Sequence, residues 1–142
     1  GCTVQPLRRC LPQAFGPADL GVQGGLMDPT AAAPALRLAP AAARDPLVAA
    51  ALAAAQNSYA PYPTDRVGQF SGVALQLADG RIFPGRYAGN AAYNPSLSPL
   101  ESALAFLRLS VPPAAQPRIV RCVLVEVPTL ASQRSATAAV LA

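Results

Sequence analysis

"GVALQLADGRIFPGRYAGNAAYNPSLSPLESALAFL", residues 72–107, carries most of the information about the fold. Its first half holds two apolar runs around Asp79-Gly80, a pair that supplies the positive φ angles of a tight two-residue turn, so 72–88 is predicted to be a β-hairpin. Its second half starts a helix. Ser98 stands at the N-cap, Pro99 at the first helical position and Glu101 at the third, the spacing of a capping box in which serine and glutamate each satisfy the other's backbone N–H. Leu100, Ala103, Leu104 and Leu107 follow at helical spacing on one face. Glu101, one of only two glutamates in the chain, invites the reading of a catalytic acid or base, but capping explains it in full.

Upstream, Asp45-Pro46 is a second helix start, and "PLVAAALAAAQNS" continues it to about Asn57. Its small side chains allow close approach to a sheet. Prolines 61 and 63 in "YAPYP" end it, and Tyr59 and Tyr62 read as packing residues there. Downstream, "RIVRCVLVEV" (118–127) is nearly continuously apolar, as in a strand buried on both faces, with Arg121 and Glu126 as exceptions and Cys122 in the core. "ASQRSATAAVLA" begins another helix and stops at Ala142 without a capping glycine, as a truncated element would. The order helix, strand, strand, helix, strand, helix predicts a three-layer α/β/α fold, a mixed sheet flanked by helices, over residues 45–142. Residues 1–44, punctuated by Pro and Gly without a sustained period, read as an extended arm or interdomain linker.

Composition narrows the chemistry. With 52% apolar and 13% charged residues over 142 positions, the chain can bury one substantial core. No apolar run reaches the ~18 residues of a membrane span, and "GCTVQPLRR" lacks the order of a signal peptide, so no membrane partner and a cytoplasmic location are expected. The net charge of +4 comes entirely from scattered arginines, of which only Arg8 and Arg9 are adjacent; no nucleic-acid partner is expected. Zero histidines exclude His-assisted nucleophiles and His-ligated metals, and the absence of lysine excludes a Schiff base. Cys2, Cys10 and Cys122 have no C-x-x-C spacing and fit reduced thiols better than a disulfide frame or a zinc site. Ser132, Ser135 and Thr137 offer hydroxyls for which no base is evident.

"SYAPY…GVALQLADGRIFPGRYAGNAAYNP" resembles the core of the cytidine deaminases. In that family a zinc ion activates water for attack on C4 of cytosine and a glutamate carries protons. Carried over position by position, the chemistry fails here. The first zinc ligand falls on Ser98 and the glutamate on Leu100, with Glu101 one residue out of register, about 100° around the helix. The zinc cysteines would lie near 129–135, where the chain reads "TLASQRS". The ribose-holding N-x-E pair falls on Tyr87 and Gly89; only Asn90 and Ala91 of that segment persist. "PTDRVGQFSG" (63–72) is longer than the family's loop, which leaves the register at Val67-Gly68 open.

The linker-like "LPQAFGPADL" and "LMD", together with "GRYAGNAAYNPSLSPLESAL", are similar to one subgroup, the two-domain homodimeric bacterial type. The resemblance implies its non-catalytic, zinc-less C-terminal domain with the linker, partnered by an upstream catalytic domain, which holds the zinc, and by a second subunit. No metal or cofactor would then bind this chain itself, and alone it would be inactive. The resemblance also implies that Phe15 covers a bound nucleoside and that Ala92 approaches it from the partner subunit. The plainer readings are that Phe15 pins the arm to the core and that Ala92 is small to admit a helix. A stand-alone pseudo-deaminase serving as an interaction module is the alternative for the whole chain.

Overall fold

A computed structural model describes residues 3–26, 36–60, 69–90, 96–128 and 132–142. Helix α1 is a short turn at Leu7–Cys10; α2 spans Pro46–Gln56, strand β1 Ser71–Leu77, β2 Ile82–Arg86, α3 Pro99–Ser110, β3 Ile119–Glu126 and α4 Arg134–Leu141. The strand order is β2-β1-β3. Both pairings are antiparallel, with Val73 opposite Gly85 on β2 and Leu124 on β3. Parallel pairing occurs among the described residues as the isolated bridge Tyr59–Ala88, a smaller share than the expected mixed sheet.

Alternation along β1 sorts the core into two layers. Val73, Leu75 and Leu77 join Phe83 of β2 and Leu100, Ala103 and Leu107 of α3. Ala74, on the other face, joins Leu47 and Ala51 of α2. The sheet therefore lies between α2 and α3, the expected three layers.

Two glycines set the spacing of those layers. A Cβ on Gly72 would lie 2.3 Å from the Ala51 carbonyl oxygen and 2.4 Å from the Ala55 nitrogen, so α2 rests on bare backbone there. On the opposite face, a Cβ on Gly85 would lie 2.2 Å from the Ala103 nitrogen and 2.3 Å from the Pro99 oxygen. The alanines of α2 complete the close approach.

Both helix starts form as their sequences predict. The Asp45 carboxylate accepts from the Leu47 N–H at 2.9 Å, and Pro46 takes the first position. Asp45 also pairs with Arg121 of β3 at 2.5 Å, so the cap of α2 is tied to the sheet. The Arg121 guanidinium and the Leu47 N–H both hold the Asp45 carboxyl below its ordinary range.

The hairpin loop is longer than expected. Leu77 N–H donates to Arg81 O at 2.9 Å, which leaves Ala78, Asp79 and Gly80 in the loop, and only Gly80 takes a positive φ, 90°. A three-residue loop needs one left-handed residue where a two-residue turn needs two. Asp79 turns back instead, accepting from the Arg81 N–H and pairing with its guanidinium at 2.8 Å.

Strand β3 departs most from expectation. Its residues are half-buried or exposed, because one edge pairs with β1 and no described strand covers the other. Cys122 is half-buried, and the burial it has pushes its thiol pKa up. Among the described residues no helix is long and apolar enough to cross a membrane.

Candidate functional site at the start of α3

Three backbone segments meet where β2 runs out toward α3. The chain leaving α2 pairs with the chain leaving β2: Tyr59 N–H donates to Tyr87 O at 3.0 Å, and Gly89 N–H donates to Tyr59 O at 2.6 Å. On the other side Ala88 and Leu97 exchange two hydrogen bonds, at 3.0 and 2.9 Å. Ser58 fastens this corner to the sheet, its hydroxyl donating to Ser71 O and accepting from Ser71 N–H. Tyr87, Gly89, Ser98 and Leu100, separated in sequence, are thereby gathered around one helix start.

Their surroundings define what they can do. The Ser98 hydroxyl accepts from Glu101 N–H at 3.2 Å, and the Glu101 carboxylate accepts from Ser98 N–H at 2.9 Å. Both side chains are occupied by the capping box read from the sequence. The Ser98 backbone and hydroxyl hold the Glu101 carboxyl below the usual glutamate range, the opposite of what a proton donor at neutral pH needs. Leu100 points into the core and is only 4% exposed, packed with Val73, Leu75 and Phe83. Tyr87 is buried, and Gly89 offers only backbone, so neither position presents the carboxamide or carboxylate that would hold a sugar. Asn90 N–H donates to the Ser96 hydroxyl at 3.0 Å.

Glu101→Ala is expected to cost roughly 0.5–1 kcal/mol at neutral pH, as loss of a helix cap does. The sign follows from the lowered carboxyl. The stabilisation is complete above the unfolded-state range near pH ~4 and fades as pH falls through the folded value, so wild type and variant should converge in acid. Urea titrations at pH 7 and pH 3 check this.

Zinc requires thiolate, imidazole or carboxylate donors. Among the described residues no three His, Cys, Asp or Glu side chains gather. At the α3 start the candidate donor is a neutral hydroxyl already engaged. At the second expected position the described residues are Ser132, Gln133, Arg134 and Ser135; residues 129–131 lie outside the described set. Cys10 is exposed on the arm and Cys122 sits on β3. Among the described residues, the donors at the α3 start do not match those of a catalytic zinc site.

Ser132 does have a carboxylate beside it, contrary to expectation. Its hydroxyl donates to Glu126 at 2.6 Å, and the second Glu126 oxygen accepts from Gln133 N–H at 2.8 Å. The arrangement secures the start of α4; both oxygens are spent on it. Phe15 is 70% exposed on the arm. Ala92 and Tyr62 lie outside the described residues, as does the Val67-Gly68 segment.

Side chains that the sequence did not single out also matter here. Arg86, the last residue of β2, donates to Asn57 O at 3.0 Å and to Leu26 O at 3.4 Å. Phe106 meets Phe83 edge-on, with centroids 5.5 Å apart. With Pro84 and the outer alanines of α2, Arg86 and Phe106 line an open groove at the β2 edge. Neither residue belongs to a local motif; only the pairing of Arg86 with Gly72 across the sheet places it against α2.

A family model described as the cytidine and deoxycytidylate deaminase zinc-binding region matches residues 7–139. The cytidine deaminase of Photorhabdus laumondii is 47% identical over 133 residues, 93% of this chain and 42% of that protein. That of Histophilus somni is 45% identical over 136 residues, 96% of this chain and 41% of that protein. That of Aeromonas hydrophila is 50% identical over 102 residues, 72% of this chain and 32% of that protein. The chain thus spans about two fifths or less of the length of these relatives. Among solved structures, the cytidine deaminase of Mycobacterium leprae aligns over 63% of this chain and 71% of its own, at 29% identity and a TM-score of 0.49.

Proposed function

Since the chain belongs to the cytidine and deoxycytidylate deaminase family, we propose that it is the non-catalytic C-terminal domain, with its linker, of a two-domain deaminase acting on cytidine and deoxycytidine. In the whole enzyme it would supply walls and interface to a catalytic half that carries the zinc, and to a second subunit, in the cytoplasm. The observation that supports this reading most is the fate of the α3 start. The backbone corner and helix are kept, while Ser98 is spent on a cap and Leu100 is sealed in the core. A catalytic domain could not give up both positions, whereas a supporting domain needs only the shape. Phe15 and Ala92 would contribute from the arm and the 91–95 segment to the neighbouring site.

Exposed apolar side chains support this reading. Val4, Leu7, Leu11 and Phe15 are exposed along the arm, as is Leu109 on α3, an apolar complement that an isolated chain must leave in water. The test is to mix the purified chain with a zinc-bearing catalytic half and follow conversion of cytidine to uridine. The chain alone should give no uridine and no stoichiometric zinc by metal analysis, while the mixture should exceed the catalytic half alone in rate or thermal stability. A mixture indistinguishable from the half alone would favour a free-standing interaction module. Stoichiometric zinc on the chain would refute the assignment of Ser98.

A further inference from the structure

We infer that Arg86 and Gln56 form a two-point fastening that fixes where the arm leaves the body, and so limits how far its apolar residues can search. Both act at the C-terminal end of α2. Gln56 Nε2 donates to Leu36 O at 3.1 Å. One residue on, the Asn57 carbonyl accepts from Arg86 Nη1 at 3.0 Å, and the same guanidinium reaches Leu26 O through Nη2 at 3.4 Å. A helix C-terminus presents unpaired carbonyls and partial negative charge, which favours a cation. The planar fork of arginine can serve two acceptors at once, one on the helix end and one on the arm. Arg86 is held for this by the sheet: it pairs with Gly72, the residue on which α2 rests most closely.

The consequence is geometric. Phe15 lies eleven residues before Leu26, so with Arg86 in place it can reach at most about 36–40 Å from that point. Among the described residues the next side-chain hydrogen bond from body to arm is at Leu36, twenty-one residues from Phe15. By residue count, that raises the upper limit of reach from about 36–40 Å to about 69–76 Å. The fastening does not depend on the proposed function; only the identity of what Phe15 covers does.

Distance distributions between two spin labels test this on the full chain, with the native cysteines replaced by serine and labels at Phe15→Cys and Ser110→Cys. Arg86→Ala should broaden the distribution and extend it to longer distances while circular dichroism stays native. Gln56→Ala, which leaves the nearer point intact, should change it little. Arg86→Lys, whose ammonium can serve one carbonyl but not the pair, should lie between wild type and Arg86→Ala, and it carries the test should the alanine variant fail to fold. A folded Arg86→Ala or Arg86→Lys chain with the wild-type distribution would overturn the inference.

Discussion

Leu100→Glu, which restores the residue type that the resemblance places at this position, should lower stability by roughly 4 kcal/mol and yield no uridine. The site is 4% exposed and packed with Val73, Leu75 and Phe83. Removing the leucine forfeits its burial and leaves poor packing, typically 2–5 kcal/mol for such a loss. A carboxyl placed there cannot stay ionised without a partner, so it takes up a proton and its pKa rises. The folded state then binds more protons than the unfolded one. Stability of the variant should therefore fall as pH rises from about 4 toward neutrality, the reverse of the trend at Glu101. Urea denaturation across that range checks both size and sign. A variant as stable as wild type at pH 7 would mean that position 100 faces a pocket, and the reading of a sealed site would be lost. Activity should stay absent even where the variant folds, because Ser98 remains a cap and, among the described residues, no cluster of metal donors gathers.

Gly85→Ala should be nearly as costly, roughly 3 kcal/mol, with a fall in melting temperature of about 10 °C. Its backbone φ is one any residue could adopt, so the penalty is steric. The added methyl would meet the Ala103 nitrogen and the Pro99 oxygen, both backbone atoms at a helix start and first turn that cannot rotate aside. Relief requires α3 to lift from the sheet and uncover Phe83 and Leu107. Gly72→Ala should behave alike on the α2 side. Thermal denaturation decides; a change under about 1 kcal/mol in both would mean that the helices have room to move and that these glycines do not set the layer spacing.

Local signals were read well because their physics is local. The caps at Asp45 and Ser98 involve residues two or three positions apart, so the hydrogen bonds found there were implied by the spacing alone. The 3.6-residue face of α3 likewise named core residues, Leu100, Ala103 and Leu107. The Asp79-Gly80 loop was placed correctly but its length was not, because an Asp-Gly pair serves both two- and three-residue loops and the strand register chooses. Strand β3 was misjudged for a related reason: a continuous apolar run looks the same in the middle of a sheet and at an edge, and only neighbours distinguish them. The partner of Ser132 was invisible in sequence because Glu126 lies six positions before it, at the end of a different element.

Composition and register by themselves determined that this chain has no histidine or lysine and carries serine and leucine at positions 98 and 100, which excludes a His-ligated metal and a Schiff base. They also determined the caps, the hairpin and the family resemblance. Tertiary structure alone decided that Gly72 and Gly85 carry the two helix layers, and that Arg86 joins the end of α2 to the arm. Those facts depend on residues far apart in the chain, whose proximity is set by strand pairing and helix packing and is encoded in no short stretch.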